Sequence, residues 1–319
     1  MAASAGWKSR FLQLDPFGTF AFLPGIVCLL LALQWGGTTY AWSNWRIIVL
    51  FVFAGVLISI FVGLQFWGGD NATVPPRIIK QRSVLGASIF ALSLGASFFI
   101  FVYYLPIWFQ AIKGVSATKS GIMNLPMILG VVISSLIAGG LITYVGHYLP
   151  AFYFSTVLAS IGAGLLTTFQ VNTNHSKWIG YQVIYGFGIG AGMQNTLLVV
   201  QTVLPLKDVP TGSAVIVFTQ TLGGALFIAV GQNVFQNRLI AGLRDTVPSL
   251  DVNTVLQAGA TSLKNAIPSE FLSGVQVAYN DALTQTWYVA VAMACLTGLG
   301  TVLVEWKSVK DKKTVAVTA

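Results

Sequence analysis

Apolar residues gather into eight stretches of this 319-residue chain. They run over 17–35, 47–67, 85–109, 122–145, 150–170, 178–204, 212–236 and 286–306, each without a charge at its centre. About 20 apolar residues in helical form cross the hydrocarbon of a bilayer, so the pattern predicts an all-α integral membrane protein of about eight transmembrane helices. Between them the polar runs are short, with two exceptions. The 68–84 connection contains Pro75 and Pro76, which forbid a continuous helix. The 237–285 stretch carries Arg244, Asp245, Asp251, Lys264, Glu270 and Asp281 and is expected as a long outer loop. At that length it should hold structure of its own. Asp251 is placed to cap a short helix reaching Gln257, and Pro268-Ser269-Glu270 to start one that runs into the last span.

The sixth stretch, YQVIYGFGIGAGMQNTLLVVQTVLP, departs most from a plain apolar run. At 100° per residue Gln182, Gly186, Gly190, Gln194 and Gln201 fall on one side, while Gly188, Gly192 and Asn195 fall nearly opposite. Glycines four apart let neighbouring helices approach to backbone contact, where packing replaces the hydrophobic drive that lipid cannot supply. The glutamines need partners inside hydrocarbon: either they bond to other helices or they line a wet cavity. The seventh stretch repeats this logic, with Gln220, Gly224 and Gly231 on one side and Gln220 a partner for the glutamine stripe. The third contains SFFIFVYYLPIWFQ, a density of rings that suits a core, an interfacial belt or a binding site. Pro106 within it permits a kink. The fourth opens with Asn124 and Pro126 near its outer end.

Composition strengthens the membrane reading. Only 8% of residues are charged and mean hydropathy is +0.77, far from the roughly 25% charge of a soluble domain. Positive charge then orients the chain. With the N-terminus inside, inner segments hold Lys8, Arg10, Arg77, Lys80, Arg82, Lys207, Lys307, Lys310, Lys312 and Lys313. The short outer loops hold Arg46, Lys113, Lys119 and Lys177. Both termini are therefore expected in the cytoplasm. This bias accounts for the net charge of +8 without any nucleic-acid partner. Asp15, just ahead of Pro16 at the membrane edge, reads as a helix cap rather than a proton site.

Several chemistries lack their residues. Neither His147 nor His175 has a second ligand at metal spacing, and no nucleophile, base and carboxylate set lies within the spans, so neither a metal site nor an enzyme is expected. Gly186-Phe187-Gly188-Ile189-Gly190-Ala191 matches a dinucleotide fingerprint by spelling alone, since no strand precedes it. No cofactor is implied. Cys28 and Cys295 both fall inside spans as small apolar residues. Asn71-Ala72-Thr73 spells a glycosylation acceptor on the inner side, and Asn174-His175-Ser176 is the better placed of the two.

Spans three to eight, with a short inner link between the fourth and fifth and a long outer loop before the last, resemble the C-terminal six-helix bundle of the major facilitator superfamily. Spans one and two resemble the extra pair of its fourteen-span drug:proton antiporter branch. The phrases LDPFGT, SGIMNLP, GFGIGAGMQN and TQTLGGALF are similar to those of fungal members that export drugs and toxins. The stretch from Gly139 to His147 resembles a worn copy of the family's inner-loop motif G-x-L-x-D-x-x-G-R, with Thr143 at the acidic position and His147 at the basic one. Its charge-pair role therefore does not carry over.

The resemblance implies an efflux permease for amphipathic small molecules, proton-driven in its complete form. It also implies a division into 1–14 as an inner segment, 15–84 as the extra pair, 85–306 as the bundle and 307–319 as an inner tail. Gln182, Gln194, Gln201 and Gln220 would offer amide contacts to substrate, and Tyr103, Tyr104, Trp108 and Asn124 aromatic and polar ones. Gly186, Gly188, Gly190, Gly192 and Gly224 would pack helices. A complete member carries six further spans ahead of Leu14, so the path needs a second bundle, and a truncated protein that does not transport is the alternative. The plasma membrane is the expected location, with the bilayer and a small-molecule substrate as partners.

Overall fold

The computed structural model describes residues 15–310, and the inner segment expected over 1–14 and the tail beyond 310 lie outside them. Twelve α-helices follow one another among these residues, and β pairing is limited to isolated bridges. They are α1 (Pro16–Trp35), α2 (Trp45–Gly68), α3 (Pro76–Ile79), α4 (Arg82–Lys113), α5 (Ala117–Met123), α6 (Leu125–Val145), α7 (Leu149–Leu166), α8 (His175–Met193), α9 (Asn195–Val203), α10 (Val209–Thr246), α11 (Val252–Ala266) and α12 (Ser269–Leu303). Eight candidate spans result, because α5 continues into α6 and α8 into α9 across short breaks. The chain is an all-α multi-pass membrane protein.

Helix ends follow their local chemistry. The Asp15 carboxylate accepts from the Gly18 amide at 2.9 Å, capping α1, and also takes hydrogen bonds from Gln65 and Thr73. Partial burial pushes this carboxyl up, but the donors of Gln65, Gly18 and Thr73 outweigh it and leave it below its ordinary value. Gly114 ends α4 and Gly146 ends α6 in the left-handed region, at φ 61° and 90°. Asp251 caps α11. The stretch 237–285 holds the two helices expected to begin after Asp251 and at Ser269, and is more helical than a long loop because α10 also extends into it. α10 continues to Thr246, and α12 starts at Ser269, well before the apolar run it contains. Arg244, Asp245 and Asp281 ride on these extensions, which are held by backbone hydrogen bonds that need no lipid.

Two layers form the bundle. α4 packs along α10 and α12, while α8 packs along α6 and α7, and α12 joins the layers by resting on α7. A Cβ built on Gly186 or Gly190 would lie 2.3 or 2.2 Å from the carbonyl oxygens of Met127 and Val131 on α6. One on Gly188 would lie 2.2 Å from the Ala159 amide on α7, and one on Gly192 2.4 Å from Ser155 Oγ. Gly224 of α10 meets the Phe99 ring of α4 in the same way. Hydroxyls close the seams: Ser134 donates to the Phe187 carbonyl and Ser155 to that of Gly188, both at 2.6 Å. The α1–α2 hairpin touches the bundle through α1 against α10, with Phe22 between Phe61 and Phe218. Only 11% of the α2 core window is buried, against 72% for α4, so the hairpin stands at the periphery.

One end of the bundle, here termed proximal, collects residues 69–81, 146–148, 205–208 and 304–310. There Arg77 clasps Asp208 with two hydrogen bonds of 2.7 and 2.9 Å and also reaches Asp70 at 3.0 Å. Glu305 accepts from Ser83 at 2.8 Å and pairs with Lys307 at 3.0 Å, donors that hold its carboxyl below the ordinary value. The distal end carries α11.

Two substitutions test this packing. Gly190→Leu should destabilise the bundle by about 3 kcal/mol, the upper end of overpacking costs. Gly164→Ala, where a Cβ meets nothing within 4 Å, should leave stability within about 1 kcal/mol of the parent; thermal unfolding of the purified chain in detergent compares them. Trp108 Nε1 donates to Asn280 Oδ1 at 2.9 Å between α4 and α12. Trp108→Phe should therefore cost about 1–3 kcal/mol by orphaning a buried acceptor, read in the same assay.

Candidate substrate path

Two spans are broken, and the amide side chains gather at the breaks. The α5–α6 span is interrupted at Asn124, two residues ahead of Pro126, which offers no N–H to the preceding turn. Gln182 of α8 is fully buried and donates from Nε2 to the Met123 carbonyl at 3.1 Å, so it serves the interrupted backbone. The α8–α9 span is interrupted at Gln194, where side chains replace part of the helical ladder. Asn195 Nδ2 donates to the Ala191 carbonyl, and Thr196 Oγ1 to that of Met193 at 3.0 Å. Three buried amide oxygens at these breaks, on Asn124, Gln182 and Asn195, have no hydrogen-bond donor. An unpaired buried acceptor costs about 1–3 kcal/mol, so each is a place where an added donor would be rewarded.

The glutamines do not share one surface. Gln182 is enclosed by the α5–α6 break, whereas Gln194 and Gln201 are exposed. The stripe divides because α6 packs on the first part of this span, against Gly186 and Gly190. Gln182 bonds to Met123 rather than to Gln220. Gln220 is half-buried on α10, its carbonyl close against Gly95 of α4.

The aromatic candidates separate likewise. Tyr104 is fully buried and donates to Ile228 O and Gln232 Oε1 at 3.2 Å, and Trp108 is fully buried on Asn280. Their polar atoms are committed to the bundle, which places both in the core rather than on an open wall. Tyr103 is 49% exposed, its ring 4.9 Å from that of Tyr104.

Asn280 and Trp287 of α12 join the site residues only in the structure, since nothing in the sequence says which side of α12 meets α4. The Trp287 indole N–H is buried without a partner beside Phe101 and Phe169. Nothing in the sequence pairs Arg77 with Asp208, 131 positions away. Among the described residues no group of three or more His, Cys, Asp or Glu is arranged to hold a metal ion. The worn motif forms the α6–α7 turn: Thr143 bonds back to the Gly139 carbonyl at 2.9 Å, and the His147 ring lies 5.1 Å from that of Trp306.

No protein-family model matches the chain. It is 60% identical over 307 residues to the MFS-type efflux pump MFS1 of Arthroderma benhamiae, covering 96% of this chain and 57% of that protein. It is 55% identical over 301 residues to the efflux pump roqT of Penicillium rubens, covering 94% and 56%. With the MFS acetylaranotin efflux transporter ataA of Aspergillus terreus it shares 52% over 298 residues, covering 93% and 66%. The chain thus spans somewhat more than half the length of the relatives it matches. Among solved structures it is similar to a bacterial homolog of the human lysosomal transporter Spinster in an inward-facing, occupied conformation. That likeness has a TM-score of 0.55 at 14% identity, covering 90% of this chain and 64% of the other, and speaks to the fold alone. Over nearly its whole length, then, the chain is a relative of fungal MFS-type efflux transporters and carries the helical fold of a major facilitator transporter.

Proposed function

We propose that this chain forms the C-terminal part of an efflux permease for amphipathic organic molecules such as drugs or toxins. In its complete form it is a fourteen-span, proton-driven antiporter. The observation that carries the reading is the 60% identity to an efflux pump across 96% of the chain. Transporters of this architecture hold substrate between two bundles that rock about a midplane site, often at discontinuous helices. Residues 85–306 supply one wall, and a second bundle supplies the other. Residues 15–84 are the extra pair.

On this reading the exposed Gln194, Gln201 and Tyr103 contact substrate, with Gln220 at their edge. Asn124 and Gln182 keep acceptors for a substrate or water donor that arrives when the bundles close. The neutral lining suits bulky, uncharged molecules. Both termini lie in the cytoplasm, because Arg77, Lys80, Arg82, Lys207, Lys307 and Lys310 collect at the proximal end. The membrane is the plasma membrane.

In a transport-competent assembly Gln194→Leu should lower export several-fold at unchanged membrane abundance. Substrate efflux and surface quantification in the same cells check this, and a parallel fall of both would make Gln194 a structural residue. A cysteine at the same position should react with a small polar thiol reagent.

A further inference from the structure

A cavity of about 450 Å³ lies in the groove between α6 and α7, with Phe187 and Ala191 of α8 as its floor. That volume falls within the roughly 300–1,000 Å³ of ligand sites. None of the path residues above lines it. Its walls are Ile137, Leu141 and Val145 on one side and Ala151 and Phe154 on the other, a slot with almost no polar surface. It runs to the proximal end, where His147 closes it.

A charged side chain stands beside the turn that contains His147. Lys310 crosses the α6–α7 turn: its Nζ donates to the Tyr144 carbonyl at 2.6 Å, and its Cδ and Cε would lie 3.1 Å from a Cβ on Gly146. The strand-like segment carrying it is fixed by the Val309 amide, which donates to the Gly146 carbonyl at 2.8 Å. Lys310 is thereby held between the two groove residues that flank Gly146, Val145 and His147. α7 begins at the same place, and no side chain caps its first amides. Helix N-termini favour anions.

We propose that this groove is a binding site for one anionic phospholipid, with an acyl chain in the apolar slot and the headgroup phosphate against Lys310 and His147. An apolar slot that ends in a fixed ammonium matches a lipid in both halves. Basic residues near a membrane surface attract anionic lipid. The site lies behind α8, on the side of the span where α6 and α7 diverge, so it can hold lipid throughout a transport cycle. The assignment rests on the proposed orientation only for which leaflet supplies the lipid.

The test uses the full chain in symmetric bilayer discs of phosphatidylcholine with a minor fraction of acyl-brominated phosphatidylserine or, separately, acyl-brominated phosphatidylcholine. Trp306, its ring 5.1 Å from that of His147, reports occupancy as the quenching lost in Trp306→Phe. The serine lipid should quench it several-fold more at equal mole fraction. Lys310→Gln should abolish that preference, and Ala151→Phe, which fills the slot, should remove quenching by both lipids. Native mass spectrometry of the detergent-purified parent gives a second reading free of any variant: phosphatidylserine should be retained over phosphatidylcholine. Equal quenching and equal retention of the two lipids overturn the proposal, as does full quenching in a well-folded Ala151→Phe. Loss with Ala151→Phe but no headgroup preference would assign the slot to a neutral chain and likewise overturns it. Both leaflets being identical, these outcomes do not depend on orientation. Labelling of Leu206→Cys in intact cells reads orientation by itself, so failure of one reading is separable from failure of the other.

Discussion

Backbone-to-backbone contact along α8 is the constraint on which the bundle depends. Lipid tails are as apolar as leucine, so helices in a membrane gain little by burying apolar surface and must gain by fitting closely. α8 fits two neighbours at once because glycine occupies both of its flanks. Gly186 and Gly190 admit the carbonyls of α6, and Gly188 and Gly192 admit α7 and the Ser155 hydroxyl. The contacts bring Ser134 and Ser155 within reach of α8 carbonyls, so hydrogen bonds follow from the same closeness. The α4–α10 seam uses the device again, with Gly95 and Gly223 each meeting a carbonyl of the facing helix. Two close-packed layers result, and α12 links them.

Against that background the unpaired amide oxygens stand out. Most hydroxyls in the spans bond back to a carbonyl three or four residues earlier, as Thr219, Thr286 and Thr301 do. Such self-satisfaction is cheap and common in helices. Gln182 and Asn195 use their side-chain N–H groups to reach the carbonyls of Met123 and Ala191 at the breaks, and their own oxygens, like that of Asn124, remain unmatched. The interruption and the unmatched acceptor are one feature. A broken span frees carbonyls, an amide side chain supplies the missing donor, and the other end of that side chain is left facing an apolar interior.

Much of this was legible in the sequence because the bilayer imposes length and hydrophobicity so strictly. All eight spans coincide with apolar runs, and the caps at Asp15 and Asp251 lie where short acidic side chains precede helical segments. The start of α12 was legible at Pro268-Ser269-Glu270, but the extension of α10 was not. Hydropathy marks where a helix leaves lipid and is blind to where its hydrogen-bond ladder stops, so Arg244 read as loop although it lies in helix. The glutamine stripe divides for a related reason. A side computed at 100° per residue does not say which neighbours cover it, and Gln182 is buried where Gln194 is exposed. Periodicity also could not divide the aromatic cluster, in which Tyr104 is enclosed and its neighbour Tyr103 is open. Only the position of α10 and α12 around α4 decides between them.

The clasp of Arg77 on Asp208 joins two parts of the molecule that otherwise touch along a single thin seam. Asp208 sits one residue ahead of α10, and Arg77 belongs to the short helix that follows the peripheral hairpin. Asp70, at the foot of α2, shares the same guanidinium. Any tilt of α10 at this end must therefore drag the hairpin with it or break both charged hydrogen bonds to Asp208 in one step. The peripheral pair behaves as an outrigger lashed to one spar of the bundle, adding drag from the surrounding lipid to whatever motion that spar makes.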